Sequence, residues 1–229
     1  MARKPLAASA VDPYAAADAA RARLLELGLI EEAAPSPRLD NTRERVLDAA
    51  IRLFADRGFE ACTMRDLGSA VGIKAPALYN HFASKEVLLG ESVEQALREF
   101  FTRVLGPLPS DPDGARLENV VRRYVVFQVE QREIARANDA LLSTGTLQRL
   151  LPADGWDRIA AALRALIDLL RALVAAEGRS DGDDYVTAVS ITALCDRVSE
   201  WYRPEHRLTV DEVAGEIWLL VARMVGKAT

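Results

Sequence analysis

Apolar residues recur at helical spacing along almost the whole chain, and the strict alternation of a strand is nearly absent. Val46, Ala49, Ala50, Leu53 and Phe54 share one face of a helix. Asn41 and Glu44 have the spacing of a capping box at its start, and Gly58 is a natural stop. Thr63, with Asp66 three residues on, opens a short helix whose Met64, Leu67, Ala70 and Val71 face inward and which Gly72 ends. Ile73-Lys74-Ala75-Pro76 then turns the chain into a third short helix ending near His81-Phe82, and Ser84 caps a long one from 85 to about 105. The Gly- and Pro-dense stretch 106–114 reads as a loop. Beyond it the pattern predicts helices over 115–130, 133–150 (interrupted near 143–145), 156–177, 184–202 and 210–225, the last opened by Thr209 and Glu212 as another capping box. Ile159, Leu163, Leu166, Leu170 and Leu173 repeat at 4-3-4-3 spacing, as in a helix packed lengthwise against others. Ahead of all this, Asp12-Pro13 starts a helix that runs to about Glu32, and Pro35-Ser36-Pro37 breaks the chain. The fold class is all-α. The expected division is an N-terminal arm with one helix (1–40), a three-helix head (41–89) and a larger helical body (90–229).

Half of the 229 residues are hydrophobic, enough for a sizeable core, and the net charge of −5 excludes a protein whose whole surface binds nucleic acid. The charge is uneven: residues 41–89 carry seven Lys/Arg against six Asp/Glu, so the rest of the chain is the acidic part. Cys62 and Cys195 lie in no metal or redox spacing. The basic start is not followed by the roughly 7–15 apolar residues of a secretory core, and Asp168 and Arg171 interrupt the most apolar stretch, 163–176. A cytoplasmic protein without membrane contact is expected. There is no Gly-rich phosphate loop, no workable Ser-His-Asp order and no metal quartet, so no catalytic residue, cofactor or metal is assigned.

The informative stretch is 63–85, where two short helices meet at a tight turn containing Gly72 and the second is too short and polar for a core helix. That is the construction of a helix-turn-helix, which lays its second helix in the major groove while the first braces against the backbone. Phosphates favour rigidly held donors, and Thr63 and Lys85 stand at the starts of the bracing and long helices. Phe54, Gly58-Phe59, Thr63, Gly72-Ile73, Leu78-Tyr79, His81-Phe82 and Ser84-Lys85-Glu86 together resemble the DNA-binding domain of TetR-family transcriptional repressors over about 42–89, without a gap. One departure is Lys74, which stands where many members have a small capping hydroxyl. The resemblance implies that Thr63 and Tyr79 touch phosphates with Lys85 beside them, and that Lys74, Ala75, Pro76, Ala77 and Asn80 face the groove. Ala and Pro can meet a thymine methyl, and Asn can pair with adenine.

Other roles stay open for some of these residues. Tyr79 and Phe82 also suit a core, His81 a polar helix end rather than a metal, and Cys62 a small filler rather than a redox sensor. In the body, the resemblance implies a homodimer through the last two long helices. Val186, Val189, Ser190, Ala193, Leu194 and Arg197 form one stripe, and Val213, Ile217, Leu220, Val221 and Met224 another, with small Ala193, Ala214 and Gly215 permitting close approach. The same stripes would serve an intrachain core. The resemblance also implies an effector pocket, for which Tyr124, Phe127, Gln128, Gln131, Asn138, Trp156 and Trp201 are the candidate lining. Arg122-Arg123, Arg132 and Arg136 could hold an anionic group or simply form a solvated face. The strings Arg132-Glu133-Ile134-Ala135-Arg136 and Glu200-Trp201-Tyr202-Arg203-Pro204 are similar to the bodies of TetR-type repressors of fatty-acid and sterol catabolism, several of which respond to acyl-CoA thioesters. The expected function is a transcriptional repressor on double-stranded operator DNA, released by a small-molecule effector. The rival is a helical sensor module that does not bind DNA.

Overall fold

The structure, a computed structural model, describes residues 13–31, 42–107, 115–143, 145–177, 182–203, 205 and 207–227. The cap Asp12, the Pro35-Ser36-Pro37 break, the cap Asn41 and residues 108–114 of the predicted loop lie outside the described residues.

The described residues form helices joined by turns. The first, α1 (Pro13–Glu26), lies along the body rather than the head. It stops earlier than its Ala/Leu/Arg run predicts because Gly28 adopts φ +67 and Leu29 N–H donates back to Leu24 O at 2.9 Å. Ala17, Ala20, Leu24, Leu29 and Ile30 are buried. Three arginine-to-carbonyl bonds fasten the segment: its own Arg21 donates to Leu105 O (3.0 Å), and Arg98 and Arg158 donate to its Gly28 O (3.0 Å) and Leu27 O (3.1 Å).

The head consists of α2 (Thr42–Arg57), α3 (Met64–Val71) and α4 (Ala75–Tyr79), and α5 (Lys85–Leu105) grows out of it. Val46, Leu47, Ala50, Ile51 and Phe54 of α2 are buried, a wider stripe than the sequence pattern suggested, because α2 packs on α3, α5 and α7 at once. The helix α5 runs unbroken across the expected boundary at 89/90, so head and body share one rigid rod.

The body holds α6 (Arg116–Glu130), α7 (Arg132–Ser143), α8 (Thr146–Leu150), α9 (Ala153–Ala176), α10 (Asp184–Trp201) and α11 (Val210–Met224). The interruption expected near 143–145 separates α7 from α8, with Gly145 left-handed at φ +65. On α11, Val213, Ile217, Val221 and Ala214 are buried within the chain, and Gly215 faces the Arg122 guanidinium of α6, so most of that stripe is intrachain core. What stays exposed is an apolar patch of Tyr185, Val186 and Val189 on α10 with Leu220 and Met224 on α11. No described helix is long and apolar enough to cross a membrane.

Candidate DNA-binding face and ligand cavity

The turn between α3 and α4 is built by backbone closure. Gly72 sits at φ +78, ψ +24, a conformation only glycine takes without penalty. Its neighbour Ile73 donates to Gly68 O at 2.9 Å. Gly68 itself has no room for a side chain: a Cβ there would lie 2.6 Å from Ile73 O. Thr63 caps α3 reciprocally with Asp66: the hydroxyl oxygen accepts from Asp66 N–H (3.1 Å), and the carboxylate accepts from Thr63 N–H (2.9 Å) and from its hydroxyl (2.6 Å). Those two bonds from Thr63 hold the Asp66 carboxyl below its ordinary range.

Lys74 is the N-cap of α4 and makes no side-chain cap bond, since its long side chain has no acceptor to offer the free N–H groups. Pro76, lacking an N–H, falls in the first turn, where none is needed. Leu78 is fully buried and anchors the helix, while Tyr79 is 56% exposed, so its ring is not core. Lys74, Pro76 and Asn80 are also exposed and Ala75 and Ala77 half-buried, which leaves one polar-edged face on α4 with exposed Thr63 at the start of α3. Phe82 is buried, His81 exposed, and Cys62 buried with its thiol directed to Leu53 O.

Lys85 is arranged differently from a free point charge. Its ammonium donates to Phe59 O at 2.8 Å and Cys62 O at 3.0 Å and lies 4.0 Å from the centroid of the Phe59 ring. Two of its three N–H groups thus fasten the α2–α3 connection to the start of α5. Arg43 pairs with Glu91, and Gln95 donates to Asp48 at 2.7 Å, so α5 and α2 are held side by side.

A cavity of about 170 Å³ lies in the body among α5, α6, α7, α9 and α10. Tyr124, Phe127, Gln128 and Asn138, four of the seven candidates, line it. Gln131 instead borders an open groove between α2 and the α6–α7 corner. Trp156 is half-buried and packs on the core away from the cavity, and Trp201 is 45% exposed with its ring against Tyr202. These three aromatic or amide side chains are carried elsewhere because each sits at a helix end, beyond the layer where the five helices converge. Phe100 is the hub of the apolar wall, 4.7 Å from the Tyr124 ring and 5.2 Å from Phe127.

The amides of the polar wall were among the candidates, but its two carboxylates were not foreseen. Asp196 of α10 accepts from the Tyr124 hydroxyl at 2.6 Å and from Gln128 Nε2 at 2.9 Å. Asp139 of α7 also lines the cavity. Burial, and next the charge of Asp196, raise the Asp139 carboxyl to about 7. Burial raises Asp196 too, against the bonds from Tyr124 and Gln128. The sequence signal for Asp196 was a carboxylate one position after buried Cys195 and four after Thr192, on the inner side of α10.

The open groove, about 790 Å³, runs between the head and the body. Arg52, Arg132 and Arg136 border it, and Ile134 lines both groove and cavity. Arg52 of α2 pairs with Glu133 of α7 at 2.7 Å, and Arg132 donates to Ser199 O at 2.7 Å. Arg122 and Arg123 lie away from it, bonded to Glu118 and to Pro107 O.

Residues 46–91 match the family described as bacterial regulatory proteins, tetR family, and residues 110–225 match the tetracyclin repressor-like C-terminal domain. The chain is 29% identical over 187 residues to the HTH-type transcriptional repressor KstR2 of Rhodococcus jostii strain RHA1, covering 78% of this chain and 88% of that protein. The structure of the ketosteroid transcriptional regulator KstR2 of Mycobacterium tuberculosis is 25% identical, with a TM-score of 0.60 over 82% of this chain and 95% of that one. AibR, solved in complex with isovaleryl coenzyme A and operator DNA, shares the fold at 22% identity and a TM-score of 0.67, over 82% and 100%. The two family matches cover the candidate DNA-binding face and the helical body, and the chain belongs to the TetR family of bacterial regulatory proteins, which are DNA-binding transcriptional regulators.

Proposed function

We propose that two copies of this chain pair through the apolar patch on α10 and α11, hold two α4 helices on an operator in the cytoplasm, and leave it when a small molecule enters the body. The observation that carries this reading is that α5 and α7 each touch both ends of the machine. α5 is clamped to the head by Lys85 and lines the cavity with Ala96, Leu97 and Phe100. α7 lines the cavity with Asn138 and Asp139 and grips α2 through Glu133. A ligand that prefers a wider cavity moves both helices, and with them the heads. The shift it causes is limited by its difference in affinity for the two arrangements.

On the DNA, Tyr79 takes a phosphate, Thr63 takes one by turning its hydroxyl away from Asp66, and Lys74, Ala75, Pro76, Ala77 and Asn80 face the groove. Lys85 acts here chiefly by positioning, because two of its N–H groups are engaged within the head. Pairing of copies has a physical motive, since one short helix reads few bases and two at one helical turn read a longer site.

A second reading concerns the effector, and the arginine-bordered groove beside the cavity favours an acyl-CoA. Arg136 suits a phosphate, Arg52 and Arg132 join it on leaving Glu133 and Ser199 O, against the groove's Asp56, Glu130 and Glu133, and Ile134 separates them from the cavity by one side chain. The size of the cavity sets a limit: about 170 Å³ is close to the roughly 150 Å³ that accepts benzene and below the ~300–1,000 Å³ of drug-sized sites. A short acyl group fits it as it stands, and a four-ring skeleton requires it to open. AibR, whose complex holds isovaleryl coenzyme A, is a precedent within the fold.

Gel shift on the DNA upstream of the protein's own gene tests the reading. Log K should fall linearly with log salt, and isovaleryl-CoA should release the complex if the thioester reading holds. Binding that ignores salt, or no binding at all, would remove the operator reading.

A further inference from the structure

We propose that the inner polar wall of the cavity binds a protonated amine carried on a compact apolar group. This rests on the reading of the cavity as the effector site, and it puts an amine-bearing group there in place of the bare acyl group of the thioester reading, which brings no donor to the wall.

The wall is made almost wholly of acceptors. Asp196 and Asp139 contribute carboxyls from α10 and α7. Gln128 is 3% exposed, and its amide is oriented by the bond from Nε2 to Asp196, which leaves Oε1 buried without a partner. Asn138 Oδ1 is buried without a partner as well. Among the described residues three buried side-chain N or O atoms lack a partner, and two of them, both acceptors, line this cavity. Buried acceptors left unpaired cost free energy that a donor on a ligand recovers.

Charge points the same way. No Lys or Arg is among the described residues lining the cavity. Of the groups around the wall, Tyr124 on α6 already donates to Asp196, Arg197 on α10 pairs with exposed Glu200, and Arg132 on α7 donates to Ser199 O. The one cation whose charge reaches both carboxyls, Arg197, is exposed and paired with Glu200, so the two carboxyls favour a positive guest and repel a carboxylate or phosphate. The apolar part of the lining, with Phe100, Phe127 and Leu163, takes the apolar body, and the volume holds about one ring with a short stem.

The test is calorimetric titration of the full-length protein at about pH 8 with 2-phenylethylammonium, 2-phenylethanol and phenylacetate, which share a ring and differ in the head group. The ammonium should bind about tenfold or more tighter than the alcohol, as charged hydrogen bonds to buried partners do, and phenylacetate should not bind measurably. Asp139→Asn and Asp196→Asn should each bring the ammonium-to-alcohol ratio toward one. Because Asp196 also orders Tyr124 and Gln128, Asp139→Asn serves as the variant least dependent on the fold, with circular dichroism checking both. An alcohol or phenylacetate that binds as tightly as the ammonium, no binding by any of the three, or a ratio unchanged in both variants would overturn the proposal. Operator affinity measured in the same samples separates the two readings. An ammonium that binds without weakening DNA affinity contradicts the effector role and leaves the wall's chemistry standing. Release of DNA by isovaleryl-CoA without ammonium binding does the reverse.

Discussion

Replacing Lys85 with methionine keeps the aliphatic stem and removes the ammonium from its two carbonyls. In the intact head that ammonium bonds Phe59 O at 2.8 Å and Cys62 O at 3.0 Å and stacks on Phe59. Hydrogen bonds from a charged donor contribute about 1.5–3 kcal/mol each when protected from water, and a cation over a partly exposed ring adds about 0.5–1 kcal/mol. Lys85 is half-buried, so water takes over part of both bonds in the variant, and a net loss of about 2 kcal/mol remains. For a chain of this size each kcal/mol lowers Tm by about 2–4 °C, so Lys85→Met should melt about 4–8 °C below the wild type. Differential scanning calorimetry measures this directly, and a salt series of operator binding on the same protein completes it. If Lys85 acted only on phosphate, Tm would stay within about 1 °C, while the slope of log K against log salt would fall by about 0.9 per head. That pair of results would refute the clamp.

Gly68→Ala places a methyl 2.6 Å from Ile73 O, so the turn has to open; we expect a loss of about 1–3 kcal/mol and weaker operator binding, read by thermal melting and gel shift. Asp139 gives a pH signature. Folding raises its carboxyl from about 3.8 to about 7, so between those values the folded chain holds a proton that the unfolded chain has released, and this group makes stability fall as pH rises through that window. Asp139→Asn should therefore match the wild type near pH 4 and melt progressively higher than it up to about pH 7, with the difference level beyond; an unchanging difference would contradict the burial of that carboxyl. Val186→Glu puts a charge on a side chain 60% exposed in the single chain, so the monomer should fold normally while sedimentation shows loss of the dimer; a dimer that survives it would place the interface elsewhere.

Much of the head was legible because its signals are local. The Thr63–Asp66 box, the left-handed Gly72, the Pro76 entry and the Ser84 cap each act within a few residues, and each is present as read. The apolar spacing of the body also gave its helices, including the interruption at Gly145. Periodicity could not tell whether a stripe faces its own chain or a copy: Val213 and Val221 turned inward, while Val186 and Leu220 stayed out. It also could not tell which polar residues converge. Asp139 and Asp196 are 57 positions apart in the sequence and meet because α7 and α10 pack on each other and on α6. Helix-end aromatics such as Trp201 look like pocket residues by type, yet the layer of the cavity passes them by. Lys85 shows the same limit, since its partners are carbonyls 23 and 26 positions away.

Hydroxyl-radical footprinting of the wild-type protein on the DNA upstream of its own gene, combined with guanine-N7 protection, tests the central claim most directly. The account expects two protected major-groove patches about one helical turn apart, centred on a near-palindrome. A single protected patch, protection confined to the minor groove, or an unprotected duplex at low salt would contradict it.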